Sequence, residues 1–321
     1  MRLFLFSILF LFVPKLSFSQ ISPNDKVILL DSLFTETSNQ DYVYIRIIKD
    51  YKTRKKNYEI NDYYKSGKIL MKGTSSTNEY LTKDGQFAFF YENGNKKTVS
   101  NFVKKLPSGK EYKWYENGNY KLEGEYISDN TDKKEKNKYK YKINQFWNKD
   151  GVQKVTDGNG VYEENDEKFF GTGSIKDGFK DGIWSGWIIN PKIKYTENYK
   201  DGQFISGKTV DENNTETVYT ILEKKPEPKK GIMDFYQYIG KNYKIPSNAK
   251  SLSLSGKIYV RFTVGKDGKI IQPRIIKDIG YGTGDEALRV LTNCENWNPG
   301  EQKGQKVNCL YTLPITIQSA H

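Results

Sequence analysis

In the stretch Gly256-Lys257-Ile258-Tyr259-Val260-Arg261-Phe262-Thr263-Val264-Gly265-Lys266-Asp267-Gly268, apolar and polar residues alternate. Ile258, Val260, Phe262 and Val264 share one face, while Lys257, Tyr259, Arg261 and Thr263 share the other, the period-two pattern of a half-buried strand. Asp267-Gly268 is a turn pair, and Lys269 to Lys277 returns as a second strand, so the stretch reads as a hairpin. Before it, Ile232 to Tyr243 sets Phe235, Tyr236, Ile239 and Tyr243 at helical spacing, and Pro246 ends the run. After it, Asp285 to Cys294 sets Ala287, Leu288, Leu291 and Cys294 on one helical face, and a last strand runs from Lys306 to Ile317. The order helix-strand-strand-helix-strand predicts a small α+β domain over residues 231–321, its helices on one face of an antiparallel sheet.

Immediately upstream, Lys224-Lys225-Pro226-Glu227-Pro228-Lys229-Lys230 packs four lysines and two prolines into seven residues and reads as an extended linker, 224–230. Residues 20–223 on its other side have a different texture. Asn-Gly or Asp-Gly recurs at 84–85, 93–94, 117–118, 150–151, 157–158, 159–160, 177–178, 181–182 and 201–202, pairs suited to two-residue hairpin turns. Glycines 67, 94, 118, 151, 178 and 202 are 27, 24, 33, 27 and 24 residues apart, usually just after an aromatic, as in Tyr91-Glu92-Asn93-Gly94 and Tyr115-Glu116-Asn117-Gly118. That internal repeat predicts stacked hairpins with aromatics layered along one antiparallel sheet. Residues 129–140, rich in lysine, read as a loop insertion. The Tyr-x-x-Gly pattern over about 58–210 resembles the MORN-type repeats of YwqK-like antitoxin-repeat proteins, which implies a repeat scaffold.

In the C-terminal domain a second resemblance rests on Ile245-Pro246-Ser247-Asn248-Ala249, the hairpin glycine and alternation through Asp267-Gly268, Asp285-Glu286-Ala287-Leu288-Arg289-Val290, Trp297-Asn298-Pro299-Gly300, Gly304-x-x-Val307 and Leu313-Pro314-Ile315. In order and spacing these resemble the C-terminal domain of TonB proteins. The expected architecture is thus multi-domain, a MORN-like β-hairpin repeat domain followed by a TonB-like α+β domain. The resemblance implies that the domain binds an extended peptide of an outer-membrane transporter, or another envelope protein, by adding it as a strand to a sheet edge. The corresponding edge here is Lys306 to Leu313, with Val307, Asn308, Cys309, Leu310 and Tyr311 as the contact residues and Tyr259 and Arg261 as secondary choices. Pro314, without an N–H, ends such pairing. TonB transducers also carry an N-terminal membrane helix and a long proline-rich span, for which this chain shows only Pro226 and Pro228, the repeats standing in the spacer's place.

Arg2, the apolar run Leu3 to Val13 broken only by Ser7, then Pro14, Lys15 and Ser17-Phe18-Ser19 read as a signal peptide, 1–19, cleaved after Ser19. The alternative is an uncleaved anchor, although the run is about half the ~20 residues a membrane span needs. Export predicts a periplasmic or envelope location. Removing Arg2 and Lys15 lowers the net charge from +12 to +10, and the lysines are interleaved with acids, so neither nucleic acid nor nucleotide is expected as a partner. Gly202 to Thr209 matches G-x-x-x-x-G-K-T, yet a hairpin glycine opens it and a polar run follows, where phosphate binding needs a helix.

With one histidine, His321, and two cysteines among 321 residues, the chain lacks histidine triads and metal clusters, and neither cofactor nor metal is expected. Cys294 and Cys309 read either as a disulfide or as two small buried thiols on their respective core faces. Glu163-Glu164 and Asp166-Glu167 read as solvated loop acids rather than a hydrolytic pair, and Trp184 and Trp187 as structural layering rather than a sugar platform. No catalytic residue emerges; a binding protein is expected. A scaffold whose repeats carry the binding is the competing reading.

Overall fold

The computed structural model describes residues 21–38, 40–128, 139–166, 168–190 and 192–318. The signal segment, most of the lysine-rich insertion and Glu167 lie outside the described residues. The chain forms two compact units, one running to Tyr162 and including Ser174–Phe179, the other comprising Glu163–Gly173 and everything from Lys180 onward. The expected boundary at 224–230 is therefore not where the units part: the last repeats belong with the C-terminal domain.

The first unit is a run of antiparallel hairpins in chain order. It begins earlier than the repeat pattern, at Lys26–Leu30 and Tyr44–Ile48. Strands from Tyr58–Tyr64 to Tyr139–Trp147 then pair each with the next, followed by Gln153–Thr156 and the start of Asn159–Asn165. Ile28, Leu30, Ile48, Tyr58, Ile60, Met71 and Phe87 form its buried cluster.

The repeat has a simple hydrogen-bond logic. In four units of the pattern, three of them opened by a tyrosine, one residue opens a turn that glycine closes: Tyr91 N–H donates to Asn95 O and Gly94 N–H to Tyr91 O, and the same pair recurs at Tyr64/Gly67, Tyr115/Gly118 and Asn148/Gly151. Only the glycine takes a positive φ in these turns, 96° at Gly94 and 92° at Gly118, so they are longer loops closed by a left-handed glycine. The two-residue turns expected for every such pair occur at Asp157-Gly158, Asp177-Gly178 and Asp201-Gly202, where both residues have positive φ. The two kinds differ in loop length, residues 91–95 between Phe90 and Lys96 but only 201–202 between Lys200 and Gln203, while a bulge precedes both, between Phe89 and Phe90 and between Asn198 and Tyr199.

The opening tyrosine also reaches the next repeat. Tyr64 Oη donates to Phe90 O at 2.9 Å, Tyr91 Oη to Trp114 O at 3.0 Å and Tyr115 Oη to Trp147 O at 2.9 Å. Tyr91→Phe is expected to cost about 0.5–1.5 kcal/mol in urea unfolding, the worth of one such bond.

In the second unit, Phe179–Ile188, Ile193–Lys200, Gln203–Val210 and Glu216–Tyr219 continue the hairpins. Gly207 lies under the Tyr219 ring, where a Cβ would sit 2.2 Å from Cζ, so the aromatic takes the space that the glycine leaves. The G-x-x-x-x-G-K-T match falls on Gly202 and the strand Gln203–Val210, paired with Ile193–Lys200 and with Glu216–Tyr219; the element that follows it is that last strand rather than a helix.

The C-terminal domain follows the expected order, with helices at Gly231–Asn242 and Thr283–Thr292 and a further short one at Ser247–Ser251. Its three-stranded sheet runs Ile270–Lys277, Gly256–Val264, Cys309–Ile317, with Gly256–Val264 in the centre. Ile258, Val260, Phe262 and Val264 are fully buried with Leu313, Ile315 and Ile317. The helices cover that face through Phe235, Ile239, Ala287, Val290 and Leu291. Val290 was not on the expected face, and Tyr236, which was, is 41% exposed. At about 1.5–3 kcal/mol per buried apolar side chain, this cluster supplies the domain's main driving force.

The presumed linker is docked. Glu223–Lys224 pairs with Gly300–Gln302, and Glu227–Pro228 pairs with Trp297–Asn298, in short antiparallel ladders. Composition suggested a free segment, but the pairing comes from strands some seventy residues downstream. Pro228 is buried, which the lysines around it conceal.

Candidate functional site: the edge strand and its cavity

The last strand breaks where sequence shows no break. Gln305–Val307 pairs with Gly300–Gln302, and Cys309–Ile317 then pairs along its full length with Gly256–Val264. Between them Asn308 turns its Oδ1 to accept from Lys266 N–H at 3.1 Å. Cys309–Ile317 is the outermost strand of its sheet, opposite Ile270–Lys277.

Along this edge Leu310, Thr312, Pro314 and Thr316 are exposed, while Leu313, Ile315 and Ile317 face the core. Pro314 lies opposite Tyr259 inside the ladder. Proline keeps such a place without losing a ladder bond only when its nitrogen points away from the partner strand. By the period of two, the N–H groups of Leu310, Thr312 and Thr316 then point outward as well.

A cavity of about 620 Å³ runs beside this edge within the second unit. Val307, Asn308, Cys309, Leu310 and Tyr311, the residues expected from the resemblance, all line it. Phe169, Ile188, Ile193 and Pro226 add apolar wall, and Lys168, Lys224, Lys225, Lys266 and Lys306 face it with Glu223 and Glu301. Tyr311 is fixed from behind, stacked on Phe262 at 5.5 Å and edge-on to Trp297 at 5.0 Å. Leu310, 55% exposed, is an apolar side chain held toward solvent. Tyr259 and Arg261 are not brought to the cavity: they sit on the central strand, where Arg261 Nε donates to Thr312 Oγ1 at 3.4 Å.

Cys294 and Cys309 are both free thiols, so the bridge is not made. A Cβ on Gly300 would sit 2.2 Å from Cys309 Sγ, which shows how closely that thiol is packed against the neighbouring strand. Burial pushes both thiols up, with Glu223 reinforcing the effect at Cys309 and Lys168 opposing it, so neither is held as a thiolate. Among the described residues no group of three or more His, Cys, Asp or Glu could hold a metal. Glu164 is bound to Lys180 at 2.8 Å. Trp184 is fully buried under the Lys180 ammonium, 4.1 Å from the ring, and Trp187 stacks on Phe170 at 4.7 Å.

One functional neighbour gave no sequence signal. The hairpin between Gly300–Gln302 and Gln305–Val307 turns on Lys303-Gly304, with φ of 49° and 71°. At its tip Lys303 is buried, its Nζ 2.5 Å from Glu197 Oε1 and 3.9 Å from the centre of the Tyr195 ring. Glu197, 1% exposed, also accepts from Tyr199 Oη and Tyr219 Oη at 2.9 and 2.7 Å. Burial and Glu197 push those two hydroxyls well above the usual phenol range. Gln305 Nε2 donates to Thr209 Oγ1 at 2.9 Å. The hairpin that leads into the edge strand is thus pinned to the last repeats by a buried ion pair.

Residues 241–316 match the family model of the Gram-negative bacterial TonB protein C-terminal domain. The match spans the sheet, the second main helix and the edge strand, and it supports a TonB-like envelope role. No curated protein matches the chain.

Proposed function

We propose that this chain is an exported periplasmic protein, its leader removed after Ser19, which captures an extended peptide along the Cys309–Ile317 edge in transport across the outer membrane. The observation that carries the reading is an unpaired strand edge lying in a cavity: Val307 to Tyr311 line it, and the outer backbone groups of Leu310 and Thr312 are left for a partner. An unpaired edge otherwise invites aggregation, and a docked strand satisfies it. We read the chain as a binder rather than an enzyme, with the hairpin repeats as a MORN-type scaffold that holds the docking domain.

A displayed library of random ten-residue peptides, selected on the full mature chain, supplies the probe. Leu310→Pro removes an outward N–H without touching the ladder to Gly256–Val264, and is expected to weaken the selected peptides at least a hundredfold. A scan of N-methylated peptides gives the same test without altering the protein: affinity should fall at every second position. Peptides that bind Leu310→Pro unchanged and tolerate N-methylation throughout would refute strand addition.

The competing scaffold reading suggests cutting the chain at the lysine-proline segment. That cut separates Lys303 from Glu197 and strands 223–228 from 297–302, so any loss it produces reports unfolding rather than the place of binding.

A further inference from the structure

The edge strand's cavity has a second wall, and its charge is one-sided. We infer that the captured segment is acidic, and that the repeats take part in reading it through Lys168 and Phe169, an inference that rests on the strand-addition reading above. Five lysines and two glutamates face the cavity, a balance of +3. Elsewhere some lysines are neutralised by a neighbouring carboxylate, as in Lys49–Asp25, Lys110–Glu123, Lys113–Glu111 and Lys208–Glu216. Among the described residues none of the five cavity lysines forms an ion pair, whereas Glu223 is engaged by Gln302 Nε2 at 3.1 Å. Unpaired cations grouped around a half-apolar cleft of ligand size leave electrostatic complementarity to be supplied from outside.

The occupant is a peptide because of what lies between the lysines. A strand edge with outward N–H groups rewards a partner that brings its own alternating donors and acceptors, which neither an acyl chain nor a free anion has. Leu310 and Phe169 ask for apolar side chains in the same segment, and the lysines at its margin ask for carboxylates. Lys168 and Phe169 precede the last repeats in sequence, about 140 residues from the edge strand, so the repeats contribute specificity and the edge contributes register.

The library selection decides the matter when its products are titrated by fluorescence anisotropy. The selected peptides should be enriched in Asp and Glu beside apolar residues. Lys168→Glu, an exposed change in the repeat wall, should weaken them by about tenfold, and the difference should shrink in 0.5 M salt. Substituting Lys168, Lys225, Lys266 and Lys306 together by Gln should abolish the acidic preference. Peptides without acidic bias that are lost on Leu310→Pro yet indifferent to Lys168→Glu would overturn this inference and leave strand addition standing. Peptides indifferent to Leu310→Pro would overturn both. Binding of phosphatidylglycerol vesicles, or self-association in sedimentation, that depends on the same four lysines in place of peptide binding would also overturn it.

Discussion

Lys303→Ala is expected to destabilise the second unit by about 3–5 kcal/mol, because it leaves the Glu197 carboxylate buried without its cation. Glu197 is 1% exposed, and its remaining partners, the Tyr199 and Tyr219 hydroxyls, donate two neutral hydrogen bonds that do not replace an ammonium. The aliphatic stem of Lys303 is lost as well, and with it the contact to the Tyr195 ring. The urea midpoint followed by tryptophan fluorescence checks the size. The double variant Glu197→Gln, Lys303→Met should recover most of the loss, since replacing both charges removes the desolvation penalty along with the attraction. A single variant costing under ~1 kcal/mol would mean that Glu197 finds water or a proton instead. The functional consequence follows from position. Lys303 sits at the tip of the hairpin whose return strand, Gln305–Val307, leads directly into Cys309–Ile317. Loosening that hairpin frees the start of the Cys309–Ile317 edge, so on the proposed strand addition affinity for an extended peptide should fall in step with stability.

What could be read from the amino acids and what could not divide by distance along the chain. The alternation at Ile258, Val260, Phe262 and Val264 names its own buried face, because side-chain direction in a strand is local. The turn glycines declare themselves for the same reason, although the sequence does not say which loop each will close: Gly94 and Gly202 look alike and a bulge precedes both, yet only before Gly202 does the preceding residue, Asp201, also take a positive φ. Non-local events left no mark. Lys303 is indistinguishable in sequence from the chain's many solvated lysines until Glu197, 106 residues away, is seen to meet it. The lysine-proline segment gives every local sign of a spacer, and becomes two short strands only because Trp297–Asn298 and Gly300–Gln302 offer edges to it. The candidate site was half legible. Its strand, Val307 to Tyr311, came from family resemblance, whereas Lys168, Phe169, Ile188 and Ile193 come from the repeats and could be found only once the chain had folded.

The second large effect belongs to Trp297, where two of the family-like motifs turn out to touch. Its ring is 1% exposed and meets Phe235 at 5.0 Å, Phe262 at 5.5 Å and Tyr311 at 5.0 Å, so one side chain joins the first helix, the central strand and the edge strand. Its backbone joins two more elements, pairing with Pro228 and donating N–H to Gly268 O at 2.7 Å. A Cβ at Gly268 would lie 1.9 Å from Trp297 O, so the Asp267-Gly268 turn takes glycine for this approach as much as for its φ of 82°. Trp297→Ala is expected to cost about 3–5 kcal/mol, the usual penalty when a large aromatic is removed from a core that cannot collapse around the void. Trp187→Ala, with its ring 41% exposed, should cost well under half of that, roughly 1 kcal/mol or less. Far-UV circular dichroism against urea measures both, since it does not depend on the indole that is removed. Equal losses would mean that the Trp297 cluster is plastic. The expected disparity, together with loss of peptide binding in Trp297→Ala under conditions where the domain still folds, would show that the core residue behind Tyr311 sets the docking edge in place.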